Sequence, residues 1–129
     1  MKKTTLRWVV LGASLLATGV ALAGSSSNQQ VVVGTTGGLL YAKGTFRPVR
    51  NSADSTQYIG CSIYAYDSGS RSIACYATDA VGNYRNCSTS DPGMVQVAAS
   101  LNPASYLYFV VNADGSCNRV ISVNASYNL

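Results

Sequence analysis

Gln57-Tyr58-Ile59-Gly60-Cys61-Ser62-Ile63-Tyr64-Ala65-Tyr66-Asp67-Ser68-Gly69-Ser70-Arg71-Ser72-Ile73-Ala74-Cys75-Tyr76-Ala77-Thr78 is two alternating runs separated by turn residues. Strand side chains point to opposite faces in turn, so each run reads as a strand with one buried and one wet face. A hairpin centred on Ser68 sets Cys61 opposite Cys75 and Ile63 opposite Ile73. It keeps apolar with apolar, which is what fixes register.

The same reading extends outward. A turn through Ala80-Val81-Gly82-Asn83 pairs Cys75 with Cys87, so Cys61, Cys75 and Cys87 lie abreast on neighbouring strands. Runs over 31–34, 39–47, 57–66, 71–78, 83–89, 105–112 and 117–124 are read as strands. For the last hairpin, a three-residue loop through Asp114-Gly115-Ser116 sets Phe109 opposite Ile121 and Leu107 opposite Val123. One segment differs: Asp91 caps, Pro92 starts, and Met94, Ala98 and Leu101 recur at helical spacing, predicting a short helix over 92–101. The expected fold is mainly β: a small sheet or sandwich of antiparallel hairpins with that one helix and two disulfides.

In these registers the odd positions Ile59, Cys61, Ile63, Ala65, Ile73, Cys75, Ala77 and Cys87 form the core face. Leu107, Phe109, Val111, Cys117, Ile121 and Val123 do the same in the last hairpin. Arg85 and Arg119 fall on this parity near strand ends, where long side chains reach out to water. The even positions carry Tyr58, Tyr64, Tyr66, Tyr76, Tyr84, Tyr106 and Tyr108, seven of the nine tyrosines.

The N-terminus follows another grammar. Lys2, Lys3 and Arg7 precede an apolar run from Trp8 to Ala23 that ends on the small-residue site Ala21-x-Ala23. This predicts a secretory signal peptide over 1–23, then a Ser/Asn/Gln leader over 24–30 and one domain over 31–129. Cleavage removes 23 of 129 residues, three of nine basic residues and no acid, so the net charge of +4 falls to +1. The basicity therefore belongs to the targeting segment, and neither nucleic acid nor an anionic membrane surface is an expected partner. The apolar run is short for a bilayer span, and no integral membrane segment is expected after cleavage. Export to the periplasm or beyond the cell is the expected destination.

Four cysteines in the mature part suit two disulfides in an oxidising compartment. Without His or Cys-x-x-Cys spacing they do not read as a metal site. Cys75 can bond only one neighbour, and Cys61 and Cys87 lie two strand spacings apart, about 9–10 Å, which is too far to bridge. Two connectivities stay open: Cys61–Cys75 with Cys87–Cys117, or Cys75–Cys87 with Cys61–Cys117. The chain has neither His nor Glu, which removes Ser-His-Asp and Cys-His machinery and most general bases near neutral pH. Asp67, Asp79 and Asp114 fall at turns and Asp91 at a helix cap, each with a structural use. No catalytic residue, metal or cofactor is expected.

Ser/Gly/Asn/Tyr mixtures make adaptable binding surfaces, because Tyr offers a large rigid area with a hydrogen-bonding tip. The tyrosine face is therefore the expected site of function, for a carbohydrate or protein ligand. One alternative is an inhibitor of an exported hydrolase acting through a disulfide-braced loop over 48–56. A lesser one is a hydrolase using turn aspartates.

The strings Gln57-Tyr58-Ile59-Gly60-Cys61, Cys75-Tyr76-Ala77-Thr78-Asp79-Ala80-Val81-Gly82-Asn83, Ser105-Tyr106-Leu107-Tyr108-Phe109 and Val120-Ile121-Ser122-Val123-Asn124 carry a resemblance. Over about residues 45–127 the chain resembles a group of small uncharacterised secreted bacterial proteins. That resemblance implies a bacterial source and one disulfide-containing domain, and brings no catalytic residue or substrate with it.

Overall fold

A computed structural model describes residues 28–128. The signal segment read over 1–23 and most of the leader lie outside the described residues. In chain order the elements are β1 (Val32–Thr36), β2 (Leu39–Thr45), α1 (Phe46–Arg50), β3 (Tyr58–Ala65), β4 (Arg71–Thr78), β5 (Tyr84–Thr89), α2 (Pro92–Ala99), β6 (Ser105–Val111) and β7 (Cys117–Asn124). They form two antiparallel sheets, one ordered β1-β2-β6-β7 and the other β3-β4-β5. The three-strand meander is thus inserted between β2 and β6, which pair with each other across it.

The central meander has the register its alternation demands. Cys61 faces Cys75, Ile63 faces Ile73, and Cys75 faces Cys87. Each of its turns is a five-residue loop whose fourth residue is a glycine at positive φ, Gly69 at 84° and Gly82 at 91°. In both, the amide of that glycine donates to the carbonyl three residues back, Tyr66 or Asp79. A Cβ is unfavourable at such φ, so glycine fixes where the turn sits and which residues face each other.

The last hairpin uses the same loop and corrects the expected register. Gly115 (φ 85°) donates to the carbonyl of Asn112, and Asn112 donates to the carbonyl of Ser116, so the turn is centred one residue earlier than read from the sequence. Val111 then faces Cys117, but a bulge follows and Val110 faces Arg119. Beyond it Phe109 faces Val120 and Leu107 faces Ser122, where Ile121 and Val123 were expected. An extra residue in one strand flips every later side chain to the other face. Val120 is accordingly 7 % exposed while Ile121 is 41 % exposed, and Arg119 leaves the core margin for the solvent-facing side.

The expected helix is present over Pro92–Ala99, with the Asp91 carboxylate accepting from the Met94 amide at 2.9 Å. It buries Val95 and Ala98 and touches β3, β4 and β7, so it closes the gap between the sheets rather than lying on one of them. The strand expected to run to residue 47 stops at Thr45 and turns into α1. That helix has five residues, no side-chain cap at Thr45 and a proline in its first turn, so it carried no sequence signal. Gln29 and Gln30, at the end of the expected leader, are tied in: Gln29 accepts from the Thr45 amide, and the Gln30 side chain donates to the carbonyl of Pro48.

Phe109, Leu107 and Ala42 of the first sheet face Ile73, Cys75 and Ala77 of the second, all essentially inaccessible to water. Removing a Phe, Leu or Ile side chain from water contributes about 2–3 kcal/mol apiece. In the meander the odd parity holds where the sheets overlap; it fails at the free end of β3, where Ile63 and Ala65 are exposed, and at the even-numbered Thr78, which is buried. The disulfides are Cys61–Cys75, across β3 and β4, and Cys87–Cys117, which joins β5 of one sheet to β7 of the other.

Two stability measurements follow. Urea unfolding of Val120→Ala should show a loss of about 2 kcal/mol, with Ile121→Ala within about 0.5 kcal/mol of the parent. The reverse order would restore the alternative register. Replacing Cys87 and Cys117 together by Ala should lower stability by about 3–4 kcal/mol, since the bond closes a 30-residue separation.

Candidate binding surface

The meander's even residues make up the outer face of the second sheet. Across its three strands the rows read Tyr58–Thr78–Tyr84, then Gly60–Tyr76–Asn86, then Ser62–Ala74–Ser88, with Tyr64 beside Ser72 at the end. No row holds a charged side chain. Tyr58, Tyr64 and Tyr84 are each about half exposed, at 45 %, 47 % and 50 %. Thr78 lies between Tyr58 and Tyr84 in register and is buried.

The rings are held by local packing. Tyr58 and Tyr76 contact each other with centroids 6.0 Å apart and planes tilted by 58°. The Tyr76 ring leans over Gly60, where an added Cβ would lie 3.8 Å from its hydroxyl oxygen. That oxygen accepts a hydrogen bond from the Ser62 hydroxyl at 3.3 Å. Small residues at 60, 62 and 74 therefore form a low floor with phenol rings standing along it.

The seven expected tyrosines do not share one surface. Tyr58, Tyr64, Tyr76 and Tyr84 are on the outer face just described, and Tyr66 follows β3 in the turn, exposed. Tyr106 and Tyr108 belong to β6 and lie on the outer side of the other sheet. There they join Tyr41, which sequence parity overlooked because numbering on β2 bears no fixed relation to numbering on β6. Tyr41 and Tyr108 are 5.8 Å apart, and the Lys43 ammonium stands 6.0 Å from the Tyr41 centroid. Burial, with Tyr108 and Tyr41 close by, pushes the Tyr106 phenol above its usual range.

Asp54, Asp79 and Asp114 are engaged in their own loops. Asp79 accepts from the amides of Val81 and Asn83 and from the Asn83 side chain, and Asp114 accepts from the amide and hydroxyl of Ser116. These hydrogen bonds, led by the side chains of Asn83 and Ser116, hold both carboxyls below the usual carboxylate range. Asp54 accepts from the amides of Thr56 and Gln57 and from the Gln57 side chain at 2.6 Å. Chiefly that side chain lowers its pKa to about 2. Gln57 in turn accepts from the Val31 amide and donates to the Gln30 side chain. The loop over 48–56 is braced by this network, and it lies outside the segments closed by either disulfide.

Arg85 sits at the margin of the core, its guanidinium donating to the carbonyl of Tyr84 while its Nε is buried without a partner. Among the described residues no group of His, Cys, Asp or Glu is placed to hold a metal ion, and no helix is long and apolar enough to cross a membrane. No protein-family profile, curated protein or solved structure matches the chain.

Asp54 gives this region a pH signature. A carboxyl whose folded pKa is depressed contributes stability above its unfolded value, and that contribution disappears as pH falls toward the folded value of about 2. Thermal melts should therefore decline as pH is lowered from about 4 toward 2, and Asp54→Asn should flatten part of that decline. An unchanged slope would mean the network does not persist in solution.

Proposed function

We propose that this protein is an exported, non-enzymatic binding module whose ligand is a carbohydrate laid along the outer face of β3, β4 and β5. The observation that carries the reading is the composition of that face: exposed phenol rings, hydroxyls and an amide over a floor of small residues, without a charge. Sugar rings present apolar C–H faces edged by hydroxyls, so they suit aromatic rings flanked by neutral hydrogen-bonding groups. Strands hold those groups more rigidly than loops would, which lowers the ordering cost of binding. Protein ligands are the second class such a surface accepts.

Two further features support this reading. Asp79 and Asp114 are held ionised by hydrogen bonds within their own loops, the opposite of what a general acid requires. Two disulfides in a small domain fit an oxidising compartment, in line with the signal grammar of residues 1–23.

A glycan array followed by calorimetry on the array's best ligand tests the assignment. Tyr58→Ala, Tyr76→Ala and Tyr84→Ala should each weaken binding about fivefold, the equivalent of about 1 kcal/mol for a stacking ring. Tyr108→Ala on the opposite sheet should leave affinity within about twofold. If the three meander variants bind as the parent does, the site is elsewhere.

A further inference from the structure

At the Tyr58 end of the aromatic face the surface opens into a cleft of about 790 Å³. Its apolar wall comes from Phe46 and Val49 of α1, Ile59 of β3 and Pro103. Its polar lining is Arg47, Arg50, Asn51, Gln57, Tyr58 and Asn102. Arg47 and Arg50 are three apart on α1 and so lie on neighbouring turns of one side. Both are exposed, and both have unused guanidinium donors.

The residues that line this cleft carry charge of one sign only. No carboxylate lines it, and among the described residues no acid pairs with either arginine. Asp54, the acid nearest in sequence, stays ionised behind Gln57, where its oxygens accept from Thr56 and Gln57, and it forms no ion pair with either arginine. Among the described residues the side-chain amide of Asn51 makes no hydrogen bond, and that of Asn102 uses only its oxygen, which accepts from the Ala104 amide. Gln57 differs: both its amide groups are bound to Val31, Gln30 and Asp54, so it fixes the wall of the cleft and leaves ligand contact to the others. The donors left over are two guanidiniums and two amides, with Tyr58 shared between cleft and aromatic face. Guanidinium groups favour oxyanions because their planar fork matches two acceptor oxygens.

We infer that this cleft takes the acidic group of the ligand, so that the module prefers anionic saccharides, carrying carboxylate or sulfate, over neutral ones. The inference rests on the carbohydrate reading above. A sugar stacked on Tyr58 directs its acidic substituent to Arg47 and Arg50, and the following sugars run toward Tyr76 and Tyr84. The neutral face supplies shape and the cleft supplies charge selection.

The test is calorimetry on the full mature chain with short oligogalacturonate, sulfated heparin-derived oligosaccharides and neutral malto- and chito-oligosaccharides as probes. Either acidic probe should bind about tenfold more tightly than the best neutral one, and the advantage should shrink as salt is raised. Arg47→Gln and Arg50→Gln, singly and together, should erase that ratio while neutral binding persists, whereas Lys43→Gln, on the other sheet, should leave it. The carboxylate and sulfate probes are compared to decide which acid is preferred.

Neutral and acidic probes binding equally, or a ratio indifferent to both arginine variants, would overturn the cleft assignment and leave the aromatic reading intact. Acidic probes that need the arginines but ignore Tyr76→Ala and Tyr84→Ala would keep the cleft as an anion site and reject the aromatic face. Absence of binding to every probe would reject both.

Discussion

The Cys87–Cys117 bond is the joint on which the two-sheet arrangement depends. The β3-β4-β5 sheet is an insertion: the chain leaves the first sheet after β2 and returns at β6. Three strands with a solvent-facing outer side have little independent stability, so the insertion must be held onto something. Packing of Ile73, Cys75 and Ala77 against Leu107 and Phe109 supplies one hold. The disulfide supplies another at the β5 margin, next to a backbone hydrogen bond from Ser88 to the carbonyl of Gly115. Fixing that margin keeps the outer face presented, and α2 closes the gap between the sheets.

Much of this was legible because β structure has a period of two. Where glycine placed the turn unambiguously, in the meander, parity identified the register and most of the core face, missing the exposed Ile63 and Ala65 and the buried Thr78. The same glycine position would have centred the last turn correctly too, had the loops at Gly69 and Gly82 been used as its template. The bulge after Val111 was hidden, because the Asn118 that adds the extra residue resembles any other turn residue. The β2–β6 pairing was hidden for a different reason. It joins segments far apart in sequence, and no local pattern encodes a long-range strand partner. The cleft was equally illegible: it needs α1, β3 and Pro103 together, and α1 gave no helical signal.

Charge is distributed as sharply as apolarity. The outer face of the meander has none, the lining of the neighbouring cleft has two guanidiniums and no acid, and Asp54, Asp79 and Asp114 are folded back into their own loops. With so few charged residues, two arginines without an ion pair give this end a positive character, which the ionised Asp54 behind Gln57 offsets only in part. A neutral platform with a cationic end is directional: under the proposed reading, a ligand that meets both lies one way only, across the strands from β3 toward β5.

Tyrosine serves two purposes in this molecule, and burial separates them. On the first sheet Tyr41 packs against Tyr108 and faces Val110 in register, which is only 2 % exposed although it faces outward, and Tyr106 lies half-buried on the same side. Burial first, and then the nearby Tyr108 and Tyr41, raise the Tyr106 phenol. On the meander the rings cover little beyond Thr78, with glycine, serine and alanine between them. Rings that protect an aliphatic layer contribute to stability, whereas rings standing half exposed over small residues leave most of their apolar area in water. That uncovered area lowers its free energy only by meeting another molecule, which is why the meander rather than the first sheet is the surface assigned to a ligand.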